Sequence, residues 1–360
     1  MVKLHTMNDQ ELRDKFIKYI DNIKAIRKKV NFSLAITNQL EERQKFFAIK
    51  NYNPQLQYKA LPLRDISPEL TTLARLLKQE KFPIVIQAFI ESQISSVNDS
   101  FLSAIYKGKP EIFAHSQKLY TYAPLGELYK EWVRLKPEQN NHLLEAEEIL
   151  RQFKQLLTEK GLASIAVSLS REKPNRIWVI PSKIHIGVNM RKSQLEIDRL
   201  LVHEIQTHLY MNLNLAADPS NILARVPKSP QSLEKNEGMA IYNEIAQQVI
   251  TNSAKLIYAL RATVDYRLSF NEIYKWVLPY LSEESIAYDF TLRIKRGLSD
   301  TAGPGGYTRD RTYYNGYMKL QDKLSQNIKL KEFFYMTNVG ISNSDLFEYN
   351  LVQIQPKYII

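Results

Sequence analysis

His203-Glu204-Ile205-Gln206-Thr207-His208 places two imidazoles around a carboxylate in one short run. A capping box comes just before it. In Ser193-Gln194-Leu195-Glu196 the serine can accept from the first turn while Glu196 reaches back to the serine N–H. The run therefore reads as helical, on a helix that frays before Asp218-Pro219. Adjacent His and Glu supply a metal ligand and a base that can share one bound water. The common metal-binding signature sets its histidines at i and i+4, about 40° apart around a helix of ~3.6 residues per turn. Here they stand at i and i+5, about 140° apart on a regular helix. The rings can share a metal only if the helix widens, and one π-bulge near Gln206 would bring them together. On a regular helix they diverge and serve packing.

A metal site needs a third protein ligand. The next carboxylates downstream are Asp218, Glu234, Glu237 and Glu244. The last three share one face of a helix expected over 233–264. Spacing alone does not choose among them, and an acidic helix start that complements the helix dipole is the plain alternative. His5, His115, His142 and His185 are isolated in sequence. Only His185 is kept as a candidate, because its strand immediately precedes the metal helix.

Upstream, Ile165, Val167 and Leu169 alternate, as do Ile177 and Val179, then Ile184, Ile186 and Val188, predicting three short strands. Before them the pattern is helical. Leu12, Phe16, Ile20, Ile23 and Ile26 recur every three or four residues within 8–50, and a second helical stretch covers about 66–135. The polar run Lys136-Pro137-Glu138-Gln139-Asn140-Asn141 is a candidate boundary. It separates an N-terminal helical region, 1–135, from a core at 140–360. Downstream, helix continues to about 335, interrupted at 299–307.

The chain has 360 residues, 44% hydrophobic and 24% charged, with only 11 Gly. That balance suits a helix-rich globular protein with a sizeable core. Cysteine is absent, which excludes disulfides, thiolate-held metal and thiol catalysis. No apolar run approaches the ~20 residues of a spanning helix, and the N-terminus lacks a signal-type apolar stretch. The expectation is a cytoplasmic protein without a membrane partner, leaving only signal-less routes for export. The net charge of +11 points either to an acidic partner or to a solvated basic surface. No zinc-finger spacing or Arg/Gly-rich tail supports a nucleic-acid partner.

Three blocks in order carry a resemblance. The first is the His203–Glu204–His208 run. The second is Asn236-Glu237-Gly238-Met239-Ala240 with Tyr242-Asn243-Glu244. The third is Lys295-Arg296-Gly297-Leu298-Ser299-Asp300-Thr301, then Gly306-Tyr307-Thr308-Arg309-Asp310 and Tyr314-Asn315-Gly316. Together they resemble the tyrosine carboxypeptidase family. Its animal members include the microtubule-associated tyrosine carboxypeptidase, which removes the C-terminal tyrosine of α-tubulin. Its bacterial relatives are labelled flavohaemoglobin expression-modulating QEGLA-motif proteins. The resemblance is firmest over 160–320. It implies one Zn2+ held by His203, His208 and Glu237, with Glu204 as catalytic base. It implies an α+β, mostly helical fold, with a zincin-like metallopeptidase core, a small β-sheet before the metal helix and an N-terminal helical region. Gln206 stands where the family usually has Gly, Asn236 replaces Gln or Glu, and Met239 replaces Leu. None of these removes a ligand or the base.

The expected activity is a zinc carboxypeptidase removing Tyr or another aromatic residue from a protein or peptide C-terminus, on an acidic tail such as tubulin's. A non-catalytic, zinc-containing binding protein on the same scaffold is the alternative. A carboxypeptidase needs a cation for the terminal carboxylate. Arg293, Lys295, Arg296, Arg309 and Arg311 cluster in the third block, and Arg296 and Arg309 are the candidates chosen. Tyr242, Tyr307 and His185 are candidate donors to a developing oxyanion. The strand at 183–188 is a candidate for β-addition by an extended substrate.

Overall fold

The computed structural model describes residues 9–122, 125–138, 142–180, 182–218, 220–281, 283–349, 351 and 355–360. His5, residues 139–141 of the polar run and Pro219 lie outside them.

Six helices come first: α1 (Asp9–Arg27), α2 (Gln39–Ala48), α3 (Ser67–Leu77), α4 (Ile84–Ile105), α5 (Ile112–Leu119) and α6 (Glu127–Trp132). The helix expected over 8–50 is thus two. Val30-Asn31-Phe32-Ser33 strings together weak helix formers, and the chain has no regular secondary structure until Ile36 bridges Tyr58. Along α1 the predicted stripe is buried, with Phe16, Ile20 and Ile23 against Leu70, Leu73 and Leu77 of α3 and Phe89 and Ile90 of α4. The same apolar cluster continues into Ile149, Phe153 and Leu157 of α7 (Ala146–Glu159), into the sheet through Ile184 and Ile186, and into the helix of the His-Glu run through Ile205 and Leu209.

Around α7 lie β1 (Leu144–Glu145), β2 (Ala166–Ser170), β3 (Ile177–Ile180), β4 (Lys183–Gly187) and β5 (Arg191–Lys192). Strands β2, β4 and β3 form a mixed sheet in that order, and β1 pairs with β5 in a separate ribbon. β4 is parallel to β2 and antiparallel to β3. This corrects the reading of 183–188 as a receiving edge. β4 has both sides occupied, and the strand bordering the site with a side still open is β3.

The Ser193–Glu196 capping box forms as expected and starts α8 (Gln194–Leu200). The helical rod continues through a π-helical segment, Leu201–Leu209, into α9 (Tyr210–Ala217). The helix expected over 233–264 is also two. α10 (Pro230–Ala246) stops where Gln248 turns left-handed at φ 58°, and Thr251 then caps α11 (Asn252–Thr263). α12 (Phe270–Leu281), α13 (Glu284–Lys295), α14 (Thr312–Gln326) and α15 (Leu330–Met336) complete a mostly helical α+β fold. The break at 299–307 is clasped from inside by Lys295, whose buried Nζ donates to the carbonyls of Leu268 (2.6 Å), Gly303 (2.6 Å) and Gly305 (3.3 Å). Among the described residues no helix is long and apolar enough to cross a membrane.

Candidate metal centre

The extra residue between the histidines is absorbed by the helix itself. Across Leu201–Leu209 the rod is π-helical, and His203 and His208 face each other edge to face, with ring centroids 4.7 Å apart. Glu237, on α10, projects between them. Its Oε2 stands 3.4 Å from His203 Nε2 and 3.6 Å from His208 Nε2, and it makes no hydrogen bond. One ligand atom from each residue falls within a 4.8 Å cluster able to hold a metal ion. Burial disfavours charge on His203, but Glu237 and Glu244 outweigh it and push the ring up to about 10. The Glu237 carboxyl is also desolvated, yet the two imidazoles hold it well below the usual carboxylate range. The His203 shift reports carboxylates that favour positive charge on the ring, and the Glu237 shift reports imidazoles that keep its carboxyl ionised.

The other downstream carboxylates have separate work. Glu244 lies one step behind the cluster and accepts at 2.6 Å from His203 Nδ1, which leaves Nε2 facing Glu237. Arg199 holds Glu244 in turn, at 3.1 Å. Glu234 is paired with Lys319 at 2.9 Å, and Asp218 closes its own turn on Ser220.

Two cavities meet at this point. The smaller, about 400 Å³, is lined by His203, Glu204, His208 and Glu237. The larger, about 1100 Å³, runs from β3 to the segment at 32–36. Glu204, Arg309, Tyr313 and Ile177 of β3 line both. Cations outnumber carboxylates in the larger one, with Lys173, Arg176, Lys192, Arg199, Arg293, Arg296 and Arg309 against Glu204 and Asp289. Arg293 is bidentate on buried Asp310 at 2.6 and 2.8 Å, and Arg296 approaches the same carboxylate at 3.5 Å. Arg309 is exposed and makes no ion pair among the described residues. Tyr307 is buried and packs against Phe32 and Tyr120 where it borders the larger cavity.

Two sequence candidates are not brought to the site. His185 points with Trp178, its cross-strand partner, and stacks on that ring at 4.6 Å. Strand alternation sets it opposite the buried Ile184 and Ile186. Tyr242 follows Glu237 by five residues on a regular helix, about 140° around it. Its ring packs on the core, with Lys331 Nζ 5.6 Å away.

A family model described as microtubule-associated tyrosine carboxypeptidase matches residues 44–349. The chain belongs to the microtubule-associated tyrosine carboxypeptidase family. It is 23% identical over 299 residues to microtubule-associated tyrosine carboxypeptidase 1 of Mus musculus, a match covering 80% of this chain and 56% of that protein. It is 24% identical over 303 residues to the Homo sapiens protein of the same name, covering 80% and 55%. The chain thus spans about half the length of the curated relatives it matches.

The family's third block borders the cleft, and sequence reasoning stopped one residue short within it. Tyr313, just before Tyr314-Asn315-Gly316, is half-buried at the seam of the two cavities, while Tyr314 is buried against Trp132. The Tyr313 ring stacks on Tyr258 at 5.1 Å, and burial together with the nearby Glu237 charge raises its phenol. The available signal was the i, i+4 relation to Arg309, which can set both on one face of a helical turn. Glu244 was named among the downstream carboxylates, but nothing local marks it, or Arg199, as a group that acts on His203 from behind.

Proposed function

We propose that this chain is a zinc-dependent carboxypeptidase with a zincin-like core, removing a C-terminal Tyr or other aromatic residue from an acidic protein tail such as that of tubulin. One observation carries the reading: a His-His-Glu cluster and an adjacent glutamate open onto a cleft that ends at an unpaired arginine. Ligands about 2.0–2.1 Å from zinc at tetrahedral angles lie about 3.3–3.4 Å apart. The separations of 3.4 and 3.6 Å from Glu237 Oε2 to the two ring nitrogens suit that geometry. The unbonded, buried Oε2 is the atom a cation would satisfy. His203, His208 and Glu237 would hold the zinc, a donor set that leaves a position open for water.

Zinc held there would supply a Lewis acid and would lower the pKa of a bound water toward neutrality. The chain's own groups do the rest. Glu204, reaching both cavities, accepts the water's proton and returns it to the leaving amine. Arg309 takes the terminal carboxylate, and Arg296 lends positive charge from beside Asp310. Tyr313 and Tyr307, which line the larger cavity, would serve as hydroxyl donors. The free side of β3 can take the extended substrate by strand addition, and the surplus of cations favours acidic residues upstream of the cut.

The test is mass spectrometry of a peptide ending in Glu-Glu-Tyr. The protein should remove one residue, stop after metal chelation, and recover with one equivalent of zinc. Cleavage untouched by chelation would reject the zinc reading, and internal cuts would reject the exopeptidase one. Glu244→Gln should retain the reaction at saturating zinc while weakening zinc affinity about 10- to 100-fold, the usual cost of losing a ligand's outer partner. Competition with a chelating dye measures it.

A further inference from the structure

The wide turn needs a cause. A helix passing through a π segment loses regular backbone pairing, and buried carbonyls must find other donors. The N–H of Tyr210 would take the Gln206 carbonyl in an α-helix. It goes instead to Ile205 and Thr207, on either side. The Gln206 carbonyl is met by the phenol of Tyr335, on α15, at 3.1 Å. Thr207 shows the same fit. A helical threonine ordinarily bonds the carbonyl three or four residues back, but Thr207 Oγ1 donates to Val202, five back, at 3.0 Å. Asn243, on α10, joins the two: its Nδ2 donates to Thr207 Oγ1 at 2.9 Å and to Tyr335 Oη at 2.8 Å. All three side chains are fully buried. Returning this segment to a regular α-helix would leave the phenol and the threonine hydroxyl aimed at the wrong carbonyls.

We propose that Thr207, Asn243 and Tyr335 are positioning residues that hold the helix in its π register and so keep His203 and His208 on one face. The inference rests on the metal reading above and adds what maintains it. Thr207 precedes His208 in the chain, but the hydrogen bonds of the three side chains go to Val202, to Gln206 and to one another rather than to His203, His208 or Glu237, so their effect on zinc passes through the turn. They also come from three separate helical elements, so the site is assembled only once α10 and α15 have docked on the rod.

Zinc affinity is the readout, by chelator competition on the full chain, beside thermal melting of the same samples. Tyr335→Phe removes one hydroxyl and Thr207→Val is nearly isosteric. Each should weaken zinc binding about tenfold or more, in the range seen when ligand orientation is lost. Thr207→Ser, which keeps the hydroxyl, should restore binding. Phe16→Leu, on distant α1, supplies a variant of lowered melting temperature whose zinc affinity should not change. Wild-type affinity in both Tyr335→Phe and Thr207→Val would overturn the inference and leave the metal reading standing, as would a loss matched by Phe16→Leu. Failure of the wild-type protein to bind zinc would overturn both. If one variant does not fold, the other decides.

Discussion

Glu204→Gln is expected to keep its metal and lose its reaction. The amide has the shape of the carboxylate but cannot accept the proton of an attacking water, and a positioned general base contributes roughly 10²–10⁴ in rate. Turnover should fall by about that factor while zinc content, measured on the purified protein, stays at one per chain. The separation is sharp because Glu204 is not part of the His203, His208 and Glu237 cluster, although it lines the same cavity. Glu237→Ala removes the atom that faces both rings, and should lose metal and reaction together. If Glu204→Gln keeps more than about a tenth of wild-type activity, with zinc bound, the base is another group and the assignment fails.

The sequence carried the local part of this site and not its support. His203 and His208 at i and i+5 implied that a shared metal needs a widened helix, and the helix is widened over Leu201–Leu209. Of the groups proposed to hold it wide only Thr207 lies in that run, and its role shows only through Asn243 and Tyr335, which lie 36 and 129 residues from the groups they bond. Strands were legible from alternation at residues such as Ile184 and Ile186, but alternation is blind to strand order. β4 therefore passed for an edge while it lies at the centre. The same blindness kept His185 as a candidate: proximity in sequence put it beside the His-Glu helix, but it lies on β4, one strand behind β3, stacked on Trp178 and lining neither cavity. Periodicity likewise ran through 233–264 without registering Gln248, whose single left-handed residue divides α10 from α11.

Gly238 was legible only as part of a motif, and its physical reason gives the second large effect. A β-carbon there would lie 2.3 Å from the carbonyl carbon of Gly316 and 2.5 Å from its oxygen. These are backbone atoms, so no side chain can swing aside. In an ordinary helix interior, alanine for glycine would stabilise by roughly 0.5–1 kcal/mol. Here that gain is overwhelmed, since α10 and α14 touch backbone to backbone and one must move. Overpacking of this kind typically costs about 1–3 kcal/mol, and more where backbone must shift, so Gly238→Ala should cost about 3 kcal/mol or more in a urea melt. The movement also separates the site, because Glu237 rides α10 while His203 and His208 ride the π-helical segment. Zinc affinity should therefore fall in the fraction that still folds. Gly303→Ala is the control: nothing lies within 4 Å of its added carbon, and it should stay within about 0.5 kcal/mol of wild type. Gly316→Ala attacks the same contact from the other side, its carbon meeting the Glu234 carbonyl oxygen at 2.2 Å. Two substitutions at one contact do not add, so the double variant should cost less than the two single losses together. Full additivity, or a Gly238→Ala protein as stable as wild type, would mean that the two helices are not locked by this contact.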